Sequence, residues 1–410
     1  MEMRRVTYKL YPSKAQADAL EAMCDLHRRL YNAALEERIS AWKLAGTSIG
    51  YSAQCKSLTE IRADLPEYRA LNAQSAQVTL KRLDEAFGHF FRRCREGGAP
   101  GFPRFKSRDR FSGWGYKAHG DGFRFVPGTG WRNGHLKLTG IGWMQARGRA
   151  RTPGEVKTCA IMRKCDGWFL SLVVACEPHR EVDADAHAIG AVDSGNETWM
   201  TIGRSPDDFE TIENERFWQA ARDEIRADQR ALSKAVRSGK LKKRSRKALR
   251  AKTALARKHR KLANRRKNRN HQASAYVVRR HRVLARERLS IANMTRSAKG
   301  HAQAPGKHVR QKAGLNRETL DTGQGGYFTM LEYKAEEAGI EFITLETRSL
   351  KPSRRCPVSW KVRKKTLAER THTLPCGRII GRDHATTLVM VRAALQSTGR
   401  EPAWLPSGQT

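Results

Sequence analysis

Hydrophobic positions alternate over residues 4–11, with Val6, Tyr8 and Leu10 on one side, until Pro12 ends the run. That period of two predicts an opening strand. Ser13 and Gln16 follow at the spacing of a capping box. Ala19, Met23, Leu26, Leu30 and Ala33 recur at helical intervals, so a helix is predicted to about Trp42, with Gly46 and Gly50 as breaks. Leu80, Leu83, Phe87, Phe90 and Phe91 mark a further helix. At Gly97-Gly98 the pattern changes: short alternating runs at 122–126, 135–138, 158–162 and 168–175, set among glycines and aromatics, predict an antiparallel barrel.

A short acidic linker, 181–186, leads to the run 188–196, which is apolar around one carboxylate, Asp193, and ends on a glycine turn. Such composition suits a central strand covered on both faces. A lone acid there is costly without a compensating cation. A polar residue closing a strand explains Asp193 equally well on burial alone. Two further acids change the balance: Glu287 follows the apolar pair Val283-Leu284, and Asp383 precedes the apolar run 387–391. Three carboxylates at the edges of core elements can converge and hold divalent metal.

Between them, 198–202 and 209–212 complete a three-stranded meander, and 215–281 reads as helical and basic, with no acid from 241 to 269. Its leucines are too sparse for a full core face, and an acid-free cationic helix repels itself, so nucleic acid is expected on one side. Residues 283–287 form a strand and 295–320 a basic loop. Phe328, Leu331, Ala335 and Ala338 form an amphipathic helix closed by Gly339, and 341–345 is the next strand. A basic segment bearing Cys356 and Cys376 precedes a last helix over about 384–396; the tail after Gly399 reads as disordered.

Charge sharpens the functional class. The 410 residues carry 79 Lys+Arg against 41 Asp+Glu, a formal charge of +38. That surplus calls for a polyanionic partner, nucleic acid before an anionic membrane. No apolar run is long enough to span a bilayer and no signal-peptide pattern opens the chain, so a soluble, cytoplasmic protein is expected. The eight cysteines show no disulfide framework. Phe105, Lys106 and Arg108 combine an aromatic face with cations, as RNA contact requires, whereas Trp168 and Phe169 read as core.

The order of elements is that of an RNase H-like domain, and the motifs along it resemble the TnpB family, relatives of small type V CRISPR effectors. Residues 8–16, Tyr-Lys-Leu-Tyr-Pro-Ser-Lys-Ala-Gln, are similar to that family's opening strand and helix start. The stretch 80–91 followed by Gly-Phe-Pro-Arg-Phe-Lys at 101–106 resembles its A-F-x-x-F-F … G-x-P-x-F-K hallmark. Val192-Asp193-Ser194-Gly195 stands at D-x-G, residues 287–294 at E-x-L-x-I-x-N-M, and 376–383 at C-G-x-x-x-D-R-D. The resemblance implies an α/β multidomain protein with a RuvC nuclease domain, a β-barrel wedge domain and an inserted helical lobe. The expected layout is a first wedge strand at 1–12, the helical lobe at 13–96, the barrel at 97–180 and the nuclease domain at 181–346 with its basic insertion at 215–281. A ribbon-like insertion at 347–382, the last nuclease helix at 383–398 and the tail at 399–410 complete it.

The implied activity is RNA-guided cleavage of DNA beside a short adjacent motif; the alternative is an RNA-guided binder or repressor whose cleavage is weak or lost. Asp193, Glu287 and Asp383 are the expected ligands of two Mg²⁺ ions, about 3.5–4 Å apart in such sites. Guide RNA and target DNA are the expected partners, with a monomer favoured. Tyr51 and Gln77 are candidates for reading the adjacent motif, and Lys242, Lys243, Arg244, Arg265 and Arg266 for phosphate contact in the basic insertion. Two departures stand out. Of the two C-x-x-C pairs of the family's zinc ribbon, only Cys356 and Cys376 remain, with Ser359 and Thr373 at the other positions and His372 nearby. No stoichiometric zinc is therefore expected, and the ribbon is held by packing around Trp360 or ordered by nucleic acid. The family's D-R-D-x-N-A-A appears as Gly-Arg-Asp-His-Ala-Thr-Thr at 381–387.

Overall fold

The computed structural model describes residues 2–405 except 151, 178–179, 243–244, 301–302, 305 and 367. The chain divides into two compact units, Met1–Pro178 and His179–Thr410.

In the first unit, β1 (Glu2–Tyr11) is followed by α1 (Lys14–Ala45), α2 (Tyr51–Asp64) and α3 (Ala73–Arg95). The capping box forms as the spacing requires: the Gln16 amide donates to Ser13 Oγ at 3.2 Å and the Ser13 amide to Gln16 Oε1 at 3.0 Å. Gly46 closes α1 in the left-handed region, at φ 61°. Six strands follow: β2 (Gly113–Tyr116), β3 (Phe123–Pro127), β4 (Arg132–Leu138), β5 (Gly142–Arg149), β6 (Glu155–Lys164) and β7 (Gly167–Cys176). With β1 they make one antiparallel sheet, order β2-β6-β7-β1-β5-β4-β3. The predicted barrel is thus an open sheet by hydrogen bonding, because residues 117–122 cross between the edges in glycine turns rather than pairing them. It is nevertheless curled. Tyr8 on β1 packs on Phe125 three strands away, with ring centroids 4.9 Å apart, and Tyr116 on one edge meets Phe123 on the other at 5.6 Å. Trp168 is buried here as core, and Phe169 is buried as well.

The second unit carries β8 (Gly190–Ser194), β9 (Thr198–Ser205), β10 (Asp208–Glu213), α4 (Phe217–Arg237), α5 (Arg246–Arg279) and β11 (Val283–Glu287). It continues with α6 (Ile291–Met294), α7 (Val309–Thr322), α8 (Gln324–Glu337), β12 (Glu341–Leu345) and α9 (Thr347–Leu350), and ends with β13 (Thr371–Thr373), β14 (Ile379–Gly381) and α10 (Arg382–Gln396). Its main sheet has the order β10-β9-β8-β11-β12. The first three strands are antiparallel, and β11 and β12 run parallel to β8.

Several expectations need correction. The basic stretch 215–281 is two helices, and part of its charge is answered within it. Lys258 on α5 pairs with Glu224 at 2.6 Å and Asp228 at 2.5 Å on α4, around a small core of Phe217, Ile225 and Leu262. The loop predicted over 295–320 holds α7 in its second half. In the tail, Trp404 packs against Leu374, Ile380, Ala385 and Leu388, and Glu401 pairs with Arg392 at 3.3 Å; an aromatic ring found a pocket that composition did not foretell. Residues 406–410 of the predicted tail lie outside the described residues.

Candidate active site

Asp193 and Glu287 reach the same place by register. In the parallel pair, Ala191 lies opposite Ala285 and Val192 opposite Arg286, so the next residues, Asp193 and Glu287, end adjacent strands side by side. Side chains alternate across a sheet. Ala191 and Ala285 pack on Met390, Val391 and Ala394 of α10, so the acids two residues on lie on the α10 face. Val192 and Leu284 point the other way, into a core with Val277, Val278 and Leu331. Asp383 lies in the first turn of α10, where the helix dipole favours an acid. A Cβ placed on Gly195, just past Asp193, would lie 3.9 Å from Asp383 Oδ2. The three predicted acids therefore converge at one end of the sheet.

Their electrostatics are those of a site short of positive charge. Part of the Asp193 residue reaches solvent, but protein rings its carboxylate. Burial, then the Glu287 and Asp383 carboxylates, push it well above the usual range, against the Ser194 amide and Arg382. Burial also raises Glu287, opposed by Thr347. Arg382 Nε is 3.8 Å from Asp383 Oδ1, while the same guanidinium also donates to the Thr366 carbonyl at 3.3 Å. One guanidinium does not balance three acids. Among the described residues no three His, Cys, Asp or Glu side chains stand close enough together to hold a metal ion. Repulsion between uncompensated carboxylates is sufficient reason for such a spread. The donor set itself fits a hard divalent cation: oxygen only, acidic, and with Asp193 in a field that a cation relieves.

A family profile described as a helix-turn-helix domain, of the OrfB/IS605 type, matches residues 1–47, which here form β1 and the single helix α1. The chain is 27% identical over 332 residues to InsQ of Escherichia coli K12, named as a candidate RNA-guided DNA endonuclease, across 80% of this chain and 76% of that one. A Streptomyces pristinaespiralis protein of the same designation is 27% identical over 391 residues, across 93% and 86%. Among solved structures, a chain of the Cas12f1–sgRNA–target DNA complex shares the fold with a TM-score of 0.58, at 12% identity over 92% of this chain and 83% of that one. The mini RNA-guided endonuclease CRISPR-Cas phi3 aligns with a TM-score of 0.51, at 10% identity over 99% and 94%. The chain is thus similar, along most of its length, to proteins named as candidate RNA-guided DNA endonucleases.

The predicted nucleic-acid contacts fare differently one from another. Tyr51 and Gln77 come together: Lys117 Nζ donates to Tyr51 Oη at 3.1 Å and to Gln77 Oε1 at 2.8 Å, and Lys81 Nζ sits 5.1 Å from the Tyr51 ring centre. Neither lysine carries a signal in the sequence that joins it to Tyr51: Lys117 stands alone and Lys81 adjoins Arg82. Phe105 is exposed. Lys106 is pinned to α1 through its backbone, exchanging hydrogen bonds with Asn32 at 2.8 and 3.0 Å. Arg108 faces Glu21 at 3.7 Å, so its charge is partly answered within the protein. Lys242 and Arg265 are exposed, and Lys243 and Arg244 lie outside the described residues. Arg266 is a correction: it turns inward, donating to the Leu320 carbonyl at 2.9 Å beside Asp321 at 3.8 Å, and braces α7. The stripe that single-residue reading missed is on α4, where Arg226, Arg230, Lys234 and Arg237 line one open groove; their spacing of four, four and three was the available signal.

The ribbon cysteines are not poised as a pair. Cys356 is buried, while Cys376 is exposed in the turn of the β13–β14 hairpin. Burial pushes the Cys356 thiol up, but the His372 ring and hydrogen bonds from Ser359 outweigh it and bring it down to about 6. His372 Nδ1 is itself engaged by Lys365 Nζ at 2.8 Å. One buried thiol, one exposed thiol and one imidazole, whose buried Nε2 has no hydrogen-bond partner, fall short of the four ligands of a tetrahedral zinc site.

Proposed function

We propose that the protein is an RNA-guided DNA endonuclease whose second unit is an RNase H-like, RuvC-type nuclease domain and whose first unit is the wedge and helical lobe. The observation that carries this reading is the convergence of Asp193, Glu287 and Asp383 on the α10 face of one sheet. Its relatives are named as candidate RNA-guided DNA endonucleases, and the formal charge of +38 suits a protein that embraces two nucleic acids. Bound there, Mg²⁺ supplies Lewis acidity that activates water and stabilises the leaving oxygen. The chain's own residues prepare that chemistry. Two strand ends and a helix start hold three oxygen donors on rigid elements, and Arg382 tempers the charge of Asp383. Pairing with the guide reads sequence, while the exposed cations of α4 and α5 hold phosphates. Tyr51, Gln77 and Lys117 are the candidates for reading the adjacent motif, since an amide side chain pairs with adenine in the major groove.

In a plasmid-cleavage assay with programmed guide RNA and Mg²⁺, Asp193→Ala, Glu287→Ala and Asp383→Ala should each abolish cutting and leave guided binding intact, because affinity resides in phosphate contacts. An acid whose variant cuts at the parental rate is not a ligand. The altered 381–387 motif favours one alternative, an RNA-guided binder with weakened cleavage. Guided binding at full occupancy with no cut product over hours would select it.

A further inference from the structure

We propose that the segment between Arg354 and Gly381 is a metal-free knuckle, and that Arg392 latches it to α10 and thereby positions Asp383. The role for Asp383 rests on the nuclease reading above; the latch itself does not.

Backbone hydrogen bonds close the knuckle. The Cys356 amide donates to the Lys361 carbonyl at 2.9 Å, the Trp360 amide to the Cys356 carbonyl at 3.1 Å, and the Arg363 amide to the Arg354 carbonyl at 2.9 Å. The Ser359 amide points at Cys356 Sγ at 3.4 Å, so the one buried thiol already has a donor of its own. What ties this turn to the nuclease helix is Arg392, only 6% exposed. Its Nη1 donates to the carbonyls of Pro357 at 3.0 Å and Val358 at 2.7 Å, the two residues that follow Cys356. The guanidinium lies 4.6 Å from the Trp360 ring centre, and Arg355 packs on the same indole at 4.9 Å. Arg355 in turn donates to the Trp360 carbonyl at 2.8 Å and the Leu350 carbonyl at 2.8 Å. Glu401 answers the Arg392 charge at 3.3 Å.

Each of these contacts has a distinct physical role. A buried cation is tolerated because two carbonyls, an aromatic face and a carboxylate replace its hydration. A planar fork that bonds carbonyls while stacking on an indole is specific to arginine, and lysine does not reproduce it. Arg392 and Asp383 share one helix, and the β13–β14 hairpin joins that helix directly: the Arg382 amide donates to the Arg370 carbonyl at 2.8 Å. Fixing the knuckle on α10 therefore fixes the end of the helix that carries the acid. Arg392 is a positioning residue, and sub-ångström errors in such placement cost rate steeply.

The test uses the full chain with its bound RNA, purified without added zinc or chelator. Elemental analysis should find no zinc. Limited proteolysis should leave residues 354–381 intact in the parent and cut them in Arg392→Ala and Arg392→Lys. Both variants should bind guided target as the parent does, which shows that they fold, yet cleave on the order of a hundredfold more slowly and need more Mg²⁺ for half-maximal rate. One zinc per chain, lost with protease resistance when Cys356 and Cys376 become serine, would overturn the metal-free knuckle. Arg392→Ala that keeps both its protease resistance and its Mg²⁺ requirement would overturn the latch. If instead Asp383→Asn cuts at the parental rate, the nuclease reading fails and the positioning role with it, while zinc content and proteolysis still decide the latch.

Discussion

Asp193 is the most strongly perturbed carboxylate of the candidate site. It follows the apolar residues Ala191 and Val192 near the end of β8, and its raised pKa stems first from burial and then from Glu287 and Asp383. The sign of the consequence follows from linkage. The folded pKa lies above the unfolded value of roughly 3.9, so the protonated acid is favoured by folding. That contribution is complete below about pH 4 and is lost as pH rises through the folded pKa. Metal-free protein should therefore lose stability as pH rises, and a divalent ion should restore it. We expect the gain in melting temperature from Mg²⁺ to be larger at pH 8 than at pH 5, and Asp193→Asn to erase most of that difference. Thermal unfolding at the two pH values, with and without Mg²⁺, checks this; equal gains in parent and variant would remove Asp193 from the metal site.

At the scale of elements, helix ends are held by residues remote in sequence. The start of α4 has Arg216 at its N-cap with φ 46° and no side-chain cap of its own. Asp321, at the end of α7, supplies one: its Oδ2 accepts from the Trp218 amide at 2.8 Å, with Arg266 of α5 beside its other oxygen. One buried carboxylate thus joins α4, α5 and α7. Losing a cap costs about 1 kcal/mol, and leaving Arg266 without its acid adds to that. Asp321→Ala should destabilise the protein by about 2 kcal/mol in denaturant titration, and Asp321→Asn, which keeps the acceptor, by less than half as much. Equal losses would mean that charge, not capping, is what Asp321 provides. The same junction touches the active-site turn, since Gln324 donates to the Gly195 carbonyl at 3.3 Å. None of the described helices is long and apolar enough to cross a membrane.

For the whole molecule the dominant fact is a formal charge of +38. The ion pairs found are mostly half-exposed and worth little each, so they do not absorb the surplus. The protein should be isolated with RNA of defined sequence bound, and that RNA should leave as salt is raised, because phosphate contacts weaken steeply with ionic strength. Sequencing RNA extracted at low and high salt checks the expectation. A random cellular sample, or none, would count against a guide.

What the sequence determined by itself was whatever depends on near neighbours or on pattern. The capping box at Ser13 and Gln16, the alternation of β1, the strand that ends on Asp193 and the closure of α8 near Gly339 all follow from interactions within a few residues. The three candidate acids were picked out by their place at the edges of apolar runs. Their shared face did not, because it depends on the parallel register of β8 with β11 and on α10 covering that side. Arg266 reads like its exposed neighbour Arg265, and only the packing of α5 on α7 turns one inward and leaves the other in solvent. Trp404 reads as tail until the cluster around Leu388 receives it. Arg392 looks like one more cation in a basic chain, and its burial against two carbonyls and an indole exists only once the knuckle has folded onto α10. Long-range contacts leave no local trace, since their partners are chosen by topology rather than by spacing; that is why the motifs were legible and the supports that position them were not.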